Sequence, residues 1–463
     1  MPMSVYTRLA SEVLFPLHER LKGHDSVARR RNLEQSQWWP AEVLEEALVR
    51  KLREFLTTIG QRVPYYRDAF AQCGLDQRRL TALSDLARYP SLTKADVRAN
   101  AERLKAEGAG PLKRYNTGGS SGEPLVFFMG KDRISHDVAA KWRATRWWGV
   151  DIGDREMIVW GSPIELGAQD RVRMLRDALL RSELLPAFEM SPANLDRFVQ
   201  RMRQFRPAML FGYPSCLSLI AEHARTRGLS MRDLGIRVAF VTSERLYDHQ
   251  RALIEEVFGC PVANGYGGRD TGFIAHACPH GSMHISAEDI LVEIVDPDGR
   301  VLPVGERGEI VVTHMATGDF PFVRYRTGDI GQLSAAPCRC GRGLPVLESI
   351  DGRSTDFVLS DDGTVMHGLA LIYVVRDLPG IDRFKIVQWS RARTTVQLVP
   401  GPGYDPAIES TIRDGLKARL GAQVTIEVER VESIPTERSG KFRYIVSHAL
   451  NIASGRPEEI SAC

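Results

Sequence analysis

The sequence predicts an α/β protein built from a large N-terminal domain and a small C-terminal domain. Between about residues 110 and 285, apolar runs of strand length alternate with helical patterns, which is typical of mostly parallel sheets covered by helices. After residue 285, short runs of strand length flank the turn Asp296-Pro297-Asp298-Gly299, which indicates a β-rich subdomain. From about residue 353 a second set of strands and one helix follows. We therefore expect a multi-subdomain domain over residues 1–351 and a small, mobile α+β domain over residues 352–463.

The individual elements follow from hydrophobic periodicity. Residues 1 to about 110 have mostly helical patterning, clearest over 41–59, and the amphipathic stretch 6–21 is expected to pack on the body of the protein. The predicted strands are 112–115, 124–129, 157–160, 208–213, 237–241, 290–295, 308–313, 385–388, 394–399 and 424–431. The predicted helices that lie among them are 135–148, 247–258 and 407–420.

Composition narrows the class of protein. Of the 463 residues, 43% are hydrophobic and 26% charged, as in ordinary globular domains, and the net charge of +3 gives no reason to expect nucleic acid or anionic lipid as partner. No apolar run reaches membrane-spanning length, and the N-terminus lacks the pattern of a secretory signal. Seven cysteines at uneven spacing favour a reducing compartment, so we expect a cytoplasmic protein.

A loop rich in glycine and hydroxyl side chains is the most informative stretch. It reads Tyr115-Asn116-Thr117-Gly118-Gly119-Ser120-Ser121-Gly122-Glu123-Pro124. Glycines allow positive φ, and successive inward amides form a concave anion site to which the hydroxyls add donors. The loop suits a polyphosphate, although it lacks the Lys-Ser/Thr ending of a Walker loop. The alternative is a flexible Gly/Ser turn between two strands.

Four further motifs follow downstream. They read Asn264-Gly265-Tyr266-Gly267-Gly268-Arg269-Asp270, Arg324-Tyr325-Arg326-Thr327-Gly328-Asp329, Asp351-Gly352-Arg353 and Pro435-Thr436-Glu437-Arg438-Ser439-Gly440-Lys441-Phe442-Arg443. Each is weak alone, but their order and spacing together with the glycine loop are specific. With Val63-Pro64-Tyr65-Tyr66-Arg67 and Ser91-Leu92-Thr93-Lys94 near the start, the chain resembles the adenylate-forming superfamily. Within it the chain is most similar to the phenylacetate–coenzyme A ligase family, in its capsular-polysaccharide-type branch.

The resemblance implies an enzyme that uses ATP and Mg²⁺ to activate a carboxylic acid as an acyl-adenylate. Lys441 would supply the mobile positive charge that the loop lacks, bridging the carboxylate and the α-phosphate. Asp329 would accept hydrogen bonds from the ribose hydroxyls, Arg353 would add a contact near the hinge, and Tyr266 would lie against the adenine. The other implied nucleotide contacts are Thr117, Gly118, Gly119, Ser120, Ser121 and Gly122 at the phosphates, and Ser243, Glu244, Gly265 and Gly267 nearer the base.

The chain departs from the family pattern at two places. The family commonly reads Tyr-Gly-x-Thr/Ser-Glu, whereas here Arg269 and Asp270 occupy the last two positions. An aspartate still suits Mg²⁺, and Arg269 brings a positive charge near the phosphates or the substrate carboxylate. The hinge carries Thr355, and the segment 361–364 is also altered in a region that relatives use for thioester formation. Adenylation is therefore better supported than transfer to coenzyme A.

Four residues predict a structural zinc site. Cys278 and His284 are six residues apart, and Cys338 and Cys340 follow downstream. Three thiolates and one imidazole complete a closed tetrahedral site, and similar Cys/His pairs occur in the family that the chain resembles. The alternatives are unrelated buried cysteines, or His276 or His280 as the nitrogen ligand.

The acid-binding pocket is expected near the strand ends, lined by Trp160, Phe211, Tyr213 and Ser215. Aromatic walls favour an aryl or arylacetic acid, although the same residues could belong to an ordinary core. The acceptor would be coenzyme A, an amine or a separate carrier, and a homodimer stays open. Two alternatives remain: a ligase that forms an amide or keeps the AMP group on its product, and a catalytically silent nucleotide-binding assembly protein.

Overall fold

The computed structural model describes residues 4–117, 125–160, 171–187, 189–350, 357–376, 378–434 and 444–449. Its strands, in chain order, are β1 Lys113–Asn116, β2 Val126–Met129, β3 Glu156–Trp160, β4 Ser182–Pro186, β5 Glu189–Met190, β6 Met209–Gly212, β7 Val238–Thr242, β8 Val262–Gly268, β9 Gly272–Ala277, β10 Met283–Ile285, β11 Ile290–Val295, β12 Arg307–His314, β13 Phe322–Leu333, β14 Val346–Ile350, β15 Phe357–Leu359, β16 Val365–His367, β17 Ile381–Ser390, β18 Arg393–Pro400, β19 Thr425–Arg430 and β20 Ile445–Ser447.

Helices precede, separate and cover these strands. The α-helices are Val5–Leu9, Phe15–Lys22, Ser26–Ser36, Ala41–Arg62, Pro64–Gln72, Lys94–Ala99, Lys131–Arg146, Arg171–Leu180, Pro192–Phe205, Pro214–Thr226, Asp248–Phe258, Leu369–Arg376 and Ile408–Leu420. A π-helical turn at Ala10–Leu14 joins the first two, and short 3₁₀ turns lie at Gln77–Arg79, Leu83–Arg88 and Arg232–Leu234. None of the helices described combines the length and the apolar character needed to cross a bilayer.

The predicted α/β fold class is confirmed. An 11-stranded sheet runs in the order β11-β12-β13-β14-β10-β9-β8-β7-β6-β3-β4. Strands β4, β3, β6, β7 and β8 are parallel, and pairing is antiparallel from β8 onward. The expected β-rich part after residue 285 belongs to the same sheet as the parallel strands, because β9 and β10 lie between them: β9 pairs with β8, and β10 pairs with both β9 and β14.

Helices bury both faces of the parallel strands. The helices Pro192–Phe205, Pro214–Thr226 and Asp248–Phe258 pack on one face through fully buried residues such as Leu217 and Ile254. The helix Lys131–Arg146 contributes Ala144 to a core on the other face. Strand β4 was not predicted, since it lies at the end of the sheet and most of its residues are only half-buried.

A separate sheet forms the C-terminal part, with the order β19-β18-β17-β20. Its core joins the strands to the helix Ile408–Leu420 through fully buried Ile386, Leu398, Ile412 and Leu416. The hairpin β15–β16 extends from β5 of the larger part, where Val365 pairs with Met190.

Candidate functional site

The carboxyl ends of the parallel strands gather most of the predicted site residues. Trp160 ends β3, Tyr213 and Ser215 follow β6, and Ser243 and Glu244 follow β7. Ligands of open α/β sheets bind in the crevice outside these strand ends. The topology therefore places the predicted acid-binding and nucleotide-binding residues along one edge of the sheet.

Thr117 closes the base of the predicted phosphate loop. Strands β1 and β2 pair antiparallel, and the Thr117 backbone N–H donates to the carbonyl of Leu125 over 3.0 Å. The Leu125 N–H in turn donates to Oγ1 of Thr117 over 3.0 Å. A hydroxyl that accepts in this way still carries a proton that it can donate. The loop residues Gly118, Gly119, Ser120, Ser121 and Gly122 lie outside the described residues, as do Arg353 and Lys441, and their roles stay predictions.

Tyr266 and Asp329 meet directly. The phenolic hydroxyl of Tyr266 donates to Oδ2 of Asp329 over 3.0 Å, although the two residues are 63 positions apart. Asp329 is further fixed because its backbone N–H donates to Thr327 Oγ1 over 3.0 Å. Both Tyr266 and Asp329 are half-buried. Two residues predicted to contact the base and the ribose are therefore neighbours.

Two predicted glycines are sterically required. A Cβ on Gly267 would lie 2.0 Å from the carbonyl oxygen of Gly272, because β8 and β9 approach closely there. A Cβ on Gly265 would lie 2.9 Å from the ring of Phe240. Larger side chains at either position would displace the end of β8, which carries Tyr266 and leads to Asp270.

Asp270 is held by its side chain and by its backbone. The hydroxyl of Tyr325, a fully buried residue of β13, donates to Oδ2 of Asp270 over 2.8 Å. The Thr271 N–H donates to Oδ1 over 3.1 Å. Each carboxylate oxygen can accept a further bond, so the half-buried carboxylate suits an oxygen-seeking cation such as Mg²⁺.

Sequence reasoning missed Arg133, which touches the same segment. Its guanidinium donates to the carbonyls of Arg269 and Asp270, over 3.2 and 3.1 Å. The side chain is only 2% exposed. Arginine in an amphipathic helix is ordinarily a solvated residue, and only the tertiary contact distinguishes this one.

Ser243 and Glu244 occupy a strained turn after β7. Ser243 has a φ of +73°. Residues other than glycine seldom adopt this backbone conformation, and those that do are often found at functional sites. The Glu244 carboxylate accepts hydrogen bonds from the hydroxyl of Ser215 and from its backbone N–H, in the first turn of the helix Pro214–Thr226. Burial raises the pKa of Glu244 to about 7, although the hydrogen bonds from Ser215 act in the opposite direction.

The predicted acid pocket has an aromatic wall. The rings of Trp160 and Tyr213 stack with centroids 4.3 Å apart, and the ring of Phe211 lies nearly parallel to that of Trp160 at a centroid distance of 6.2 Å. Phe211 and Tyr213 are 8% and 6% exposed, whereas Trp160 and Ser215 are half-buried. Trp160 and Ser215 can therefore meet a ligand, while Phe211 and Tyr213 mainly support them.

The four predicted zinc ligands come together. The ligand atoms of Cys278, His284, Cys338 and Cys340 all lie within 4.8 Å of one another. The sulfurs of Cys278 and Cys338 are 3.6 Å apart, and Cys340 Sγ is 3.2 Å from His284 Nε2. Ligand atoms about 2.3 Å from a tetrahedral zinc would be about 3.8 Å apart, so the spacing suits this metal.

The orientation of His284 suits a metal ligand. Its Nδ1 lies 3.2 Å from the carbonyl oxygen of Leu344, which can only accept, so the neutral ring carries its proton on Nδ1 and turns the lone pair of Nε2 toward the sulfurs. Among the described residues, the cluster contains His284 and neither of the rival ligands His276 and His280. Cys73, Cys216 and Cys260 also lie outside it.

Comparison with known proteins gives two family matches. The family described as "AMP-binding enzyme" matches residues 184–317. The family described as "CapK C-terminal domain" matches residues 358–448. The first match spans the strand ends from β4 to β12, and the second spans the separate C-terminal sheet.

Curated relatives match over most of their length. Protein CapK of Staphylococcus aureus is 24% identical over 402 residues, which cover 86% of this chain and 88% of CapK. Phenylacetate-coenzyme A ligase of Pseudomonas putida is 28% identical over 346 residues, with 73% and 76% covered. The enzyme of the same name from Thermus thermophilus is 27% identical over 332 residues, with 69% and 72% covered.

Solved structures share the fold. The structure of 2-hydroxyisobutyryl-CoA ligase with 2-HIB-AMP and CoA in the thioesterification state has a TM-score of 0.65 at 22% identity, covering 91% of this chain and 93% of that one. The same ligase in its postadenylation state has a TM-score of 0.60 at 21% identity, with the same coverage. Together, the family matches and the relatives support an adenylate-forming, AMP-forming acid ligase family for this chain, similar to phenylacetate-coenzyme A ligase and CapK, and the solved structures share its fold.

Proposed function

We propose that this enzyme activates a carboxylic acid, aryl or arylacetic in class, as its acyl-adenylate and then transfers the acyl group to coenzyme A or to another acceptor. A carboxylate oxygen attacks the α-phosphorus of ATP, the bond to the β-phosphate oxygen breaks, and pyrophosphate leaves. The acceptor then attacks the acyl carbon and AMP leaves. The observation that carries the proposal is a pair of side-chain hydrogen bonds beside the strand ends: Tyr266 donates to Asp329, and Tyr325 donates to Asp270.

Charge and position would provide most of the catalysis. The adenylation step brings two anions together, so the protein has to neutralise phosphate charge and hold the carboxylate in line. We assign the phosphates to Thr117 and the loop after it, the ribose to Asp329, and the positive charge at the α-phosphate to Lys441. Asp270 would hold Mg²⁺, which when bound offsets the charge of the phosphate oxygens.

The aromatic wall supports the proposed substrate class. Trp160 presents a half-buried ring backed by Tyr213, and a planar acid gains stacking energy on such a surface. Its position at the end of β3 would place the acid beside Glu244 and Ser215, the latter at the start of the helix Pro214–Thr226. The acyl group would thus lie between the aromatic wall and the nucleotide.

We also propose that the Cys/His cluster holds a structural Zn²⁺. Cys278 follows β9, His284 lies in β10, and Cys338 and Cys340 lie in the turn region before β14. A closed tetrahedral site would join these three segments. A reducing, cytoplasmic location is also proposed, from the uneven spacing of the seven cysteines in the sequence.

A product assay tests the proposed function. Purified enzyme, ATP and Mg²⁺ are incubated with a panel of aryl, arylacetic and aliphatic acids, with either coenzyme A or an amine, and the products are separated by mass spectrometry. The expected result is acid-dependent formation of AMP and of a thioester from an aryl-type acid. An amide or a retained AMP group would instead identify the other acceptor chemistry. Formation of ADP, or nucleotide turnover that no acid stimulates, would contradict the proposal.

A further inference from the structure

Arg133 connects the helix that follows the hairpin β1–β2 to the proposed Mg²⁺ ligand Asp270. It lies in the first turn of the helix Lys131–Arg146, four residues after the end of β2, which is the second strand of the hairpin. Its Nε donates to Oδ2 of Asp137 over 2.9 Å, and its two terminal nitrogens donate to the carbonyls of Asp270 and Arg269. Because the Arg133 side chain is only 2% exposed, its guanidinium donates its hydrogen bonds to the protein and not to water.

We propose that Arg133 is a positioning residue for the metal and phosphate end of the nucleotide site, acting through the backbone of Arg269 and Asp270. The proposal rests on the proposed function of Asp270. Tyr325 fixes the carboxylate of Asp270 and Arg133 fixes its carbonyl, so the residue is held at both ends. A carboxylate that is already held in place binds a cation without the entropic cost of being ordered at that moment.

The chain leaves no space between this guanidinium and the segment that it holds. Gly272 has a φ of +82°, and a Cβ there would lie 2.9 Å from a terminal nitrogen of Arg133, 2.8 Å from Asp137 Oδ1 and 3.0 Å from His314 Nε2. The absence of a side chain at Gly272 thus allows the start of β9 to pack directly against Arg133, Asp137 and His314. Lysine at position 133 would offer one nitrogen in place of a planar fork and could not hold both carbonyls and Asp137 together.

Asp137 is itself supported by a buried polar cluster. His136 lies between two carboxylates, with Nδ1 3.5 Å from Asp137 Oδ1 and Nε2 3.6 Å from Asp289 Oδ2. His314 Nε2 is 3.9 Å from Asp137 Oδ1, and Lys51 pairs with Asp289 over 2.6 Å. Burial disfavours charge on Asp137, but Arg133 and the two histidines outweigh it and lower its pKa below the ordinary range. The cluster therefore presents a fixed negative charge to Arg133.

The same cluster is poorly suited to a metal of its own. The ligand atoms of His136, Asp137 and His314 are close enough to share an ion. However, His314 Nδ1 accepts the N–H of Ala316 over 3.3 Å, so the neutral ring carries its proton on Nε2, the nitrogen that faces Asp137. This is the reverse of His284, whose Nε2 faces the sulfurs with a lone pair. Arg133 and Lys51 already pair with the two aspartates, so a cation is not needed for charge balance.

Two variants in one helix test the proposal. Arg133→Lys keeps the charge but removes the fork. The matched control Arg143→Lys changes an equally buried arginine of the same helix, whose partners are Glu288 and Ser286 and not the Arg269–Asp270 segment. Activity is followed as exchange of labelled pyrophosphate into ATP at varied Mg²⁺, and backbone order as hydrogen–deuterium exchange over residues 265–272.

For Arg133→Lys we expect a loss of kcat of roughly 10- to 100-fold, a several-fold higher Mg²⁺ concentration at half-maximal rate, and faster amide exchange over 268–272. Arg143→Lys should lower thermal stability without moving either the Mg²⁺ midpoint or that exchange. An unchanged Mg²⁺ midpoint or unchanged amide exchange in Arg133→Lys would overturn the proposal. If the wild type exchanges no pyrophosphate with any acid, the proposed function fails, and amide exchange alone then decides whether Arg133 orders the segment.

Discussion

Tyr266 donates a hydrogen bond from its hydroxyl to Oδ2 of Asp329 over 3.0 Å, which joins β8 to β13 across 63 residues of sequence. Asp329→Ala removes the proposed acceptor of the ribose hydroxyls, so we expect the KM for ATP to rise about tenfold or more. Tyr266→Phe keeps the ring and loses only the hydroxyl, so its effect should be several-fold smaller. Pyrophosphate exchange at varied ATP measures both. Equal KM values for ATP in the wild type and in Asp329→Ala would remove Asp329 from the nucleotide site.

The bond from Tyr325 to Asp270 predicts a specific magnesium defect. Tyr325→Phe preserves a fully buried ring but leaves Asp270 Oδ2 without this donor. Because a hydrogen bond to a charged group contributes about 1.5–3 kcal/mol, we expect the Mg²⁺ concentration at half-maximal exchange to rise by roughly tenfold. The double variant with Arg133→Lys should lose less than the two single losses combined, since both residues hold Asp270. Full additivity would mean that the two restraints act independently.

The Cys/His cluster predicts bound zinc. Elemental analysis of freshly purified protein should give one Zn²⁺ per chain, and Cys340→Ser should lose most of it and melt about 5 °C or more below the wild type. Cys73→Ser is the control, because Cys73 is exposed and lies outside the cluster. Absence of stoichiometric zinc from the wild type would refute this site without affecting the proposed catalysis.

Glu244 predicts a pH-dependent stability. Its pKa in the folded protein, about 7, lies above the ordinary 4.5, so the folded state binds this proton more tightly than the unfolded chain does. The resulting stabilisation is present below about pH 4.5 and is lost as pH rises through 7. Glu244→Gln cannot ionise and still accepts a bond from Ser215. It should therefore be more stable than the wild type at pH 8, by about 1 kcal/mol after allowance for partial exposure, and nearly equal to it at pH 4.5.

Thermal melts at the two pH values check this prediction. Glu46→Gln, on the exposed side of the helix Ala41–Arg62, controls for the general removal of a negative charge. A difference between Glu244→Gln and the wild type that is the same at pH 4.5 and pH 8 would show that Glu244 does not titrate as proposed.

Much of the fold was predictable because buried parallel strands are nearly continuous apolar runs. The predicted segments 208–213 and 237–241 match β6 and β7 closely. The proximity of the four Cys/His residues was predictable because few other Cys and His residues compete at that spacing, and the zinc that they would bind stays a prediction. In contrast, the contacts of Arg133 were not predictable. Asp137 lies one helical turn away, but Asp270, Asp289 and His314 reach the cluster only through the packing of the sheet.

In the predicted acid pocket, too, the sequence predicted which residues lie together but not which of them are accessible to a ligand. Trp160, Phe211, Tyr213 and Ser215 were predicted as one lining, and the structure does bring the three rings together. The sequence could not separate the half-buried Trp160 from the backing residues Phe211 and Tyr213, since all three are large apolar residues at strand ends. The exposure of a side chain at a strand end depends on which other elements pack against it, and hydrophobic periodicity carries no information about that packing.

The central claim is that this chain uses ATP to adenylate a carboxylic acid. Exchange of labelled pyrophosphate into ATP, with a panel of acids and with Lys441→Ala as the matched control, tests it most directly. We predict acid-dependent exchange in the wild type and a loss of at least about a hundredfold in Lys441→Ala, with unchanged thermal stability. Folded wild-type protein that supports no exchange with any acid, or a Lys441→Ala variant that exchanges at the wild-type rate, would contradict the account.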